Sequence, residues 1–296
     1  MCAGGGRHGA GAAAVSKRLP DWLRPAAPKA RQLATLGRRL AASGVNTVCQ
    51  SARCPNIGEC FGSGNATFMI LGSACTRDCR FCAVNHDRPQ PLDPEEPQRV
   101  AAAARSLNLR YAVITSVTRD DLGDGGAAHF AATVRAVREL LPKAGVEVLV
   151  PDFRGDAEAV RVVTAAAPTV FGHNVETVPR LYPQVRPQAD YARSLEVLRR
   201  AREIAPETIT KSGLMVGLGE TEAEVTAVLR DLRDAGVSAV TIGQYLQPTR
   251  EHLPVVDYVT PGTFERYQGE AREIGLRHVL SGPLVRSSYH ALELVG

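Results

Sequence analysis

Long apolar runs are missing from this sequence, and so are the marks of several other protein classes. Its most apolar stretches, such as 146–150 and 237–242, are far shorter than the roughly 20 residues that a membrane-spanning helix needs. No block of Lys and Arg is interleaved with aromatic residues, so a nucleic-acid-binding surface is not indicated. The sequence therefore predicts a soluble protein with no membrane or nucleic-acid partner.

The first 18 residues lack both acidic side chains and a leucine-rich leader. Such a Gly/Ala-rich stretch is typical of a disordered tail, and a transit peptide is the alternative. With no secretory signal before the later cysteines, we expect the protein to be cytoplasmic. Cys2 lies in this tail, where we interpret it as a free thiol.

Cysteine is absent from the whole chain after residue 82, although the sequence contains seven cysteines. Six of the seven lie between Cys49 and Cys82, which excludes a scattered set of core thiols. A small secreted domain cross-linked by disulfides is also disfavoured, because most of the chain contains no cysteine that could form one. The clustered cysteines are predicted to be metal ligands in a reducing compartment.

From residue 67 onward, short apolar segments alternate with amphipathic helices. Thr221 and Glu224 are spaced as a capping box, and Thr260 followed by Pro261 is typical of a helix start. This alternation predicts an α/β fold, either a parallel barrel or an open doubly wound sheet, with the active site at the carboxyl ends of the strands. The expected strands are 67–71, 111–117, 146–151, 169–174, 208–216, 239–245 and 278–281, and an earlier helix is expected at 29–42.

The densest cysteine motif, formed by Cys75, Cys79 and Cys82, follows the first expected strand with the spacing C-x3-C-x2-C. Structural zinc sites use four ligands, whereas this segment offers three thiolates and only His86 as a local fourth candidate. Three thiolates on a tight loop suit a 4Fe–4S cluster with one iron that lacks a protein ligand, which is typical of a reactive site. A zinc site or a redox-active disulfide loop is the alternative.

A second motif, formed by Cys49, Cys54 and Cys60, has the spacing C-x4-C-x5-C and precedes the expected barrel. Three further thiolates indicate a second iron–sulfur cluster. A zinc site that lacks one ligand is the alternative.

Two other polar features admit a functional and a structural interpretation. Asp120, Asp121 and Asp124 could form a carboxylate metal site, but a charged loop before a helix is the commoner arrangement. Lys211 could form a Schiff base only in a desolvated pocket. We favour the structural interpretation for both features.

The first motif, with the aromatic Phe81 before its last cysteine, resembles the signature of the radical S-adenosylmethionine superfamily. Gly213, Met215, Gly217 and Glu220 are similar to that superfamily's adenine-contacting G-x-I-x-G-x-x-E segment, with Met215 in the Ile position. The resemblance implies a partial (β/α)6 barrel with an N-terminal cysteine-bearing extension and a C-terminal closing segment. It also implies that a cluster and S-adenosylmethionine together generate a 5′-deoxyadenosyl radical.

With Arg286-Ser-Ser-Tyr289 near the C-terminus, the two cysteine motifs make the chain similar to the lipoyl synthases from about residue 19 to 290. Further similar segments are 66–72, 115–121, 151–155, 173–177 and 243–248. The resemblance implies that Ser288 and the cysteines of the second motif hold an auxiliary 4Fe–4S cluster. From its sequence alone, the Arg286–Tyr289 segment would be interpreted as a solvated turn.

The resemblance implies insertion of two sulfur atoms at carbons 6 and 8 of an octanoyl chain that is amide-linked to a lysine. Two S-adenosylmethionine molecules are used, and the auxiliary cluster gives up both sulfurs. The expected catalytic residues are Cys75, Cys79, Cys82 and Ser288. The expected metal ligands are Cys49, Cys54, Cys60, Cys75, Cys79, Cys82 and Ser288. The expected contacts to S-adenosylmethionine are Phe81, Ser116, Asn174, Glu176, Arg186 and Met215, with a structural hydrogen-bond network as the alternative for 173–186.

The partners that this resemblance implies are octanoylated carrier domains of 2-oxoacid dehydrogenase E2 subunits and the glycine cleavage H protein. A reductant such as flavodoxin or ferredoxin and iron–sulfur carrier proteins are also expected. The nearest enzymatic rival is another sulfur-inserting radical enzyme, and a non-enzymatic iron–sulfur carrier or redox sensor is the rival from a different class. The expected division of the chain is a tail at 1–18, a cluster-bearing extension at 19–65, the barrel at 66–284 and a closing segment at 285–296.

Overall fold

The computed structural model describes residues 18–24, 43–48, 56 and 64–289. In this part of the chain, a single eight-stranded sheet runs in chain order from β1 to β8. β1 (Asn46–Thr47) pairs antiparallel with β2, and all later pairings are parallel. Among the described strands, β1 and β8 stand at the two ends of this order and do not pair with each other, so the α/β architecture is an incomplete barrel.

All seven predicted strands are confirmed, and their bounds differ from the prediction by at most two residues. They are β2 (Asn65–Ile70), β3 (Tyr111–Ser116), β4 (Gly145–Leu149), β5 (Val170–Gly172), β6 (Ile209–Val216), β7 (Ala239–Gln244) and β8 (His278–Gly282). The sequence did not predict β1, and the helix predicted at 29–42 lies outside the described residues. The predicted domain boundaries remain predictions.

Helices cover the sheet between successive parallel strands. They are α1 (Glu96–Ser106), α2 (Ala127–Leu140), α3 (Ala157–Thr164), α4 (Tyr182–Val185), α5 (Tyr191–Ile204), α6 (Glu222–Asp234) and α7 (Pro261–Ile274). Short 3-10 helices lie at Asp21–Leu23, Phe153–Gly155 and Pro179–Leu181. None of the helices in the described ranges has the length and hydropathy of a bilayer-spanning segment.

The predicted helix starts are confirmed by their capping hydrogen bonds. At the start of α6, the Thr221 side chain accepts from the backbone N–H of Glu224, and the Glu224 carboxylate accepts from the backbone N–H of Thr221. At the start of α7, the Thr260 hydroxyl accepts from the backbone N–H of Thr263. These bonds satisfy N–H groups that the helix itself leaves unpaired.

The apolar core consists of two clusters, one on each half of the sheet. Phe68, Phe130 and Val148 belong to the cluster around β2–β4 and α1–α3. Leu229 and Phe264 belong to the cluster around β6, β7, α6 and α7. Complete burial of each such side chain contributes about 1.5–3 kcal/mol, so the two clusters hold the strand ends in fixed positions.

A buried ion pair lies toward the amino-terminal half of the barrel strands. Lys211 Nζ is 2.8 Å from Glu147 Oε1, and the Tyr111 hydroxyl donates to Glu147 Oε2 over 3.0 Å. Both side chains of the pair are almost fully buried, where an unpaired charge would be costly. The Lys211 amine is therefore already engaged, which favours the structural interpretation of this lysine.

Candidate active site

The loop after β2 carries the first cysteine motif at the carboxyl edge of the sheet. Its first residue, Leu71, is buried and has a φ of +67°, a left-handed conformation that costs a non-glycine residue about 1–3 kcal/mol. Leu71 N–H donates to Glu96 Oε2 over 2.8 Å, and Arg119 Nη1 donates to the Leu71 carbonyl over 3.2 Å. His129 Nε2 lies 2.7 Å from the same Glu96 oxygen. Side chains from three separate elements thus hold the start of this loop.

Arg77 fixes the middle of the loop, between Cys75 and Cys79. Its Nε is 2.6 Å from Asp120 Oδ2 and its Nη2 is 2.6 Å from Asp152 Oδ1, with the guanidinium almost fully buried. Burial alone would raise the pKa of Asp152, but the hydrogen bond and charge of Arg77 outweigh it and lower that pKa to about 2. Arg77 therefore ties the loop to the residues that follow β3 and β4.

The three thiols of this loop are half-buried. Burial raises the pKa of Cys82 to about 12 and raises that of Cys79 above its ordinary value. A bound cation is therefore needed to hold them as thiolates at neutral pH. Cys75 Sγ accepts backbone N–H groups from Thr118 over 3.3 Å and from Arg77 over 3.5 Å, which fixes its position in the loop.

Within the described ranges, no three His, Cys, Asp or Glu side chains converge closely enough to hold a single metal ion. His86, the local candidate for a fourth ligand, lies 3.7 Å from Asp78 and is exposed.

The predicted charged loop after β3 is explained by structural contacts. Asp120 pairs with Arg77, and Asp121 pairs with Arg119 over 2.8 Å. Asp124 accepts the backbone N–H groups at the start of α2. Each carboxylate is thus engaged, which favours the charged-loop interpretation over a metal site.

The segment after β5 forms a polar wall beside the cysteine loop. Arg80 N–H donates to the Val185 carbonyl over 3.0 Å, so the loop directly contacts the residue before Arg186. Arg186 Nη1 donates to the carbonyls of Asn174 and Val175, and Asn174 Nδ2 donates to Glu176 Oε1 over 3.1 Å. Three of the predicted cofactor contacts therefore form one connected group.

Four buried polar atoms in the described residues have no hydrogen-bond partner and lie in or beyond the carboxyl ends of the strands. They are Ser116 Oγ, His173 Nε2, Thr177 Oγ1 and Arg186 Nε. Buried polar atoms are nearly always paired, so this edge offers unused donors and acceptors to a polar ligand. Burial, and then the nearby Arg186 charge, lower the pKa of His173 to about 4, which leaves its ring neutral.

An apolar wall lies on the other half of the sheet. Phe81 from the cysteine loop and Met215 from β6 both pack against the cluster around β6 and β7. Gly217 directly follows β6; its φ is +98° and a Cβ atom there would lie only 2.1 Å from Gln244 Nε2, so only glycine fits. The Glu220 carboxylate accepts the N–H groups of Gly217 and Leu218, which gives this acid a structural role in the turn.

The C-terminal turn that contains Ser288 lies against the end of β7. A Cβ atom at Gly243 would be 2.1 Å from the Val285 carbonyl, so this glycine permits the close approach. Asn56 Nδ2 donates to the Leu284 carbonyl over 2.7 Å. Cys49, Cys54 and Cys60 lie outside the described residues, but Asn56 lies between Cys54 and Cys60 in the sequence.

Several residues of this site had no signal in the sequence. Glu96 and His252 each make a long-range hydrogen bond to the thiol-bearing loop, and His129 Nε2 lies 2.7 Å from the same Glu96 carboxylate. None of them belongs to a spaced motif that elementary chemistry links to a metal or a cofactor. Their roles depend on which loops the fold brings together.

Comparison with known proteins adds an independent line of support. Residues 69–243 match the family model of the Radical SAM superfamily. A lipoyl synthase from Caldanaerobacter subterraneus subsp. tengcongensis is 58% identical over 281 residues, which cover 94% of this chain and 97% of the relative. A lipoyl synthase from Rubrobacter xylanophilus is 56% identical over 97% of this chain and 87% of the relative.

Solved structures are similar at the level of the fold. A methylornithine synthase has a TM-score of 0.53 at 14% identity and covers 92% of this chain and 88% of its own. SuiB of Streptococcus suis, in a structure bound to S-adenosylmethionine, has a TM-score of 0.57 at 10% identity and covers 85% and 61%. At such low identities these similarities support the architecture alone.

Proposed function

The chain belongs to the lipoyl synthase family of the radical S-adenosylmethionine superfamily, and we propose a separate role for each of its cysteine motifs. It is a sulfur-inserting transferase that acts at carbons 6 and 8 of a protein-bound octanoyl-lysine to form the lipoyl group. The superfamily uses a 4Fe–4S cluster and S-adenosylmethionine. Because the reacting C–H bonds carry no acidic proton, no side-chain base could activate them.

When bound, the first cluster and S-adenosylmethionine supply a 5′-deoxyadenosyl radical, and an auxiliary cluster supplies the two sulfur atoms. Cys75, Cys79 and Cys82 would hold the first cluster and leave one iron open to the cofactor. The observation that carries this assignment is the 3.0 Å hydrogen bond from Arg80 to Val185, which joins the thiol-bearing loop to the polar wall at Arg186.

The polar and apolar walls fit the two ends of S-adenosylmethionine. Arg186 has an unused Nε donor, and its planar guanidinium suits the methionine carboxylate. Asn174 and Glu176 would contact the ribose hydroxyls, and the unpartnered Ser116 hydroxyl would contact the amino-acid end. Phe81 and Met215, which pack on one apolar cluster, would flank the adenine ring.

Ser288 and the second cysteine motif (Cys49, Cys54, Cys60) would hold the auxiliary cluster. The hydrogen bond from Asn56 to Leu284 supports this, because Asn56 lies between Cys54 and Cys60 in the sequence and Leu284 lies just before the turn that contains Ser288. A serine oxygen is a hard ligand for iron, so it would release more readily than a thiolate as the sulfurs leave. The Arg286–Tyr289 segment would then be part of the site, not merely a solvated turn.

The substrate is a lipoyl carrier domain. We propose that octanoylated E2 domains and the H protein both serve, with flavodoxin or ferredoxin as reductant and iron–sulfur carriers to rebuild the auxiliary cluster. Both clusters and a strong reductant require a reducing compartment, so we place the reaction in the cytoplasm. Free octanoate should react poorly, because the carrier polypeptide supplies binding energy remote from the reacting carbons.

The test is anaerobic incubation of the reconstituted chain with S-adenosylmethionine, reductant and an octanoyl-lysine peptide, followed by mass spectrometry. The native chain should hold about eight irons and form the lipoyl peptide. Replacing Cys75, Cys79 and Cys82 with Ala should remove about half of the iron and abolish 5′-deoxyadenosine formation. Cys2→Ala, outside both motifs, is the matched control and should behave as the native chain. A triple variant that still forms 5′-deoxyadenosine at the native rate would overturn the assignment.

A further inference from the structure

The segment 246–259, between β7 and α7, contacts both sides of the site. At its C-terminal end, Val256 N–H donates to the Gly217 carbonyl over 2.9 Å. The buried Gln244 side chain donates to the Asp257 carbonyl over 2.9 Å and accepts from Val259 N–H over 2.8 Å. This end of the segment is therefore fixed to the Gly217 turn by backbone and side-chain bonds.

The middle of the same segment contacts the thiol-bearing loop. Leu253 N–H donates to the Arg80 carbonyl over 3.2 Å. His252 Nε2 lies 3.0 Å from the carbonyl oxygen of Cys82. The Tyr245 hydroxyl, itself at the end of β7, donates to the Leu253 carbonyl over 2.8 Å. The segment thus bridges Cys82 and the Gly217 turn, which lie in separate parts of the sequence.

The contacts of His252 define its orientation. A carbonyl oxygen only accepts hydrogen bonds, so Nε2 is the donor to Cys82. Nδ1 lies 2.8 Å from the Thr249 hydroxyl, so both ring nitrogens have a partner. Gln247 Nε2 also donates to the His252 carbonyl over 2.8 Å. The local turn therefore presents the imidazole in one orientation.

We propose that His252 is a positioning residue for S-adenosylmethionine binding, which acts by holding Cys82 and the Gly217 turn at a fixed separation. The inference rests on the proposed function, because it takes these two elements as the cluster-holding and adenine-contacting sides of one cofactor site. In this role His252 acts through the backbone of Cys82. Its loss would leave the bond from Leu253 to Arg80 as the remaining hydrogen bond from this segment to the thiol-bearing loop, and this looser connection should weaken cofactor binding more than the chemical step.

The experiment compares the native chain with His252→Ala, His252→Gln and Glu251→Gln. A glutamine amide can place an N–H where Nε2 carries its proton, so His252→Gln retains the donor to Cys82. Glu251 is an exposed neighbour in the same segment, so Glu251→Gln is the matched control. Equilibrium dialysis gives the Kd for S-adenosylmethionine, and 5′-deoxyadenosine formation without octanoyl substrate gives KM and kcat.

His252→Ala should raise Kd and KM about 3- to 10-fold, the loss expected for one part-buried hydrogen bond, and leave kcat within about 2-fold. His252→Gln and Glu251→Gln should both stay within about 2-fold of the native Kd. If His252→Ala loses iron and His252→Gln retains it, the same assignment is supported. Native binding by His252→Ala, or equally weak binding by His252→Gln, would overturn it.

The same experiments distinguish a failure of the proposed sulfur insertion from a failure of the positioning role proposed for His252. Dialysis and cofactor cleavage require neither the octanoyl substrate nor the auxiliary cluster. A native chain that binds and cleaves S-adenosylmethionine but forms no lipoyl peptide would contradict the sulfur-insertion role alone. The comparison of the His252 variants would still decide the positioning role.

Discussion

Asn56 Nδ2 donates a 2.7 Å hydrogen bond to the carbonyl oxygen of Leu284, across a separation of 228 residues in the sequence. Asn56 is only 5% exposed, so this bond is largely shielded from water. It places Asn56, which lies between Cys54 and Cys60 in the sequence, against the C-terminal turn before Ser288.

Asn56→Ala should weaken this connection and lower the iron content attributable to the auxiliary cluster. The loss leaves the Leu284 carbonyl without this donor, which costs about 1–3 kcal/mol if the group remains buried. Cofactor cleavage at the other cluster should stay near the native rate. Iron analysis and 5′-deoxyadenosine assays check both expectations, with the exposed Asn46→Ala as control. Unchanged iron and lipoyl yield in Asn56→Ala would contradict the role assigned to this contact.

His173 should make the fold sensitive to mild acid. Its pKa is lowered from 6.5 to about 4 because burial, followed by the Arg186 charge, disfavours the protonated ring. Below about pH 6.5, the unfolded chain therefore binds a proton that the folded chain does not bind. The free energy of unfolding keeps its full value above about pH 6.5 and decreases as the pH falls toward 4.

Between pH 7 and pH 5, this histidine should remove about 2 kcal/mol from the free energy of unfolding. Urea unfolding at the two pH values measures the loss, and His173→Gln, which does not titrate, should lack this part of the pH dependence. An equal loss in the native and variant proteins would show that His173 is not the titrating group.

Breaking the Arg77 pairs should destabilise the whole chain as well as the thiol-bearing loop. Arg77→Met leaves the fully buried Asp152 carboxylate without its closest partner, which costs about 3–5 kcal/mol. The exposed pair of Arg161 and Glu158 provides a control, because Arg161→Met should leave the free energy of unfolding nearly unchanged. Denaturant unfolding measures both changes. Similar small losses in the two variants would mean that the buried pair does not hold this loop.

The local features of this fold could be predicted from the sequence. Strands such as β3 and β7 are nearly continuous apolar runs, and the Thr221 capping box uses residues only three apart, so each leaves a short-range pattern. The position of the thiol-bearing loop directly after the first expected strand could also be predicted, because its three cysteines lie within eight residues of one another. The two-residue β1 was missed, since it is too short for any periodicity to show.

The hydrogen bonds and ion pairs that hold the loops of the site could not be predicted in the same way. Arg77 and Asp152 are 75 residues apart, and His252 and Cys82 are 170 apart. Such polar pairs form only because the barrel places the loops after different strands at one edge. Leu71 likewise has an ordinary apolar side chain, and nothing in its sequence context indicates a positive φ.

The central claim, that the second cysteine motif holds the sulfur donor, is tested most directly by isotope labelling. The chain is reconstituted with heavy sulfide and assayed with an octanoyl-lysine peptide in buffer that contains only light sulfur. Both inserted sulfurs should be heavy and should come from one chain, which limits the yield to about one product per protein unless the cluster is rebuilt. The variant with Cys49, Cys54 and Cys60 replaced by Ala should still cleave S-adenosylmethionine and form no product. Light sulfur in the product, or robust turnover by that variant, would contradict the account.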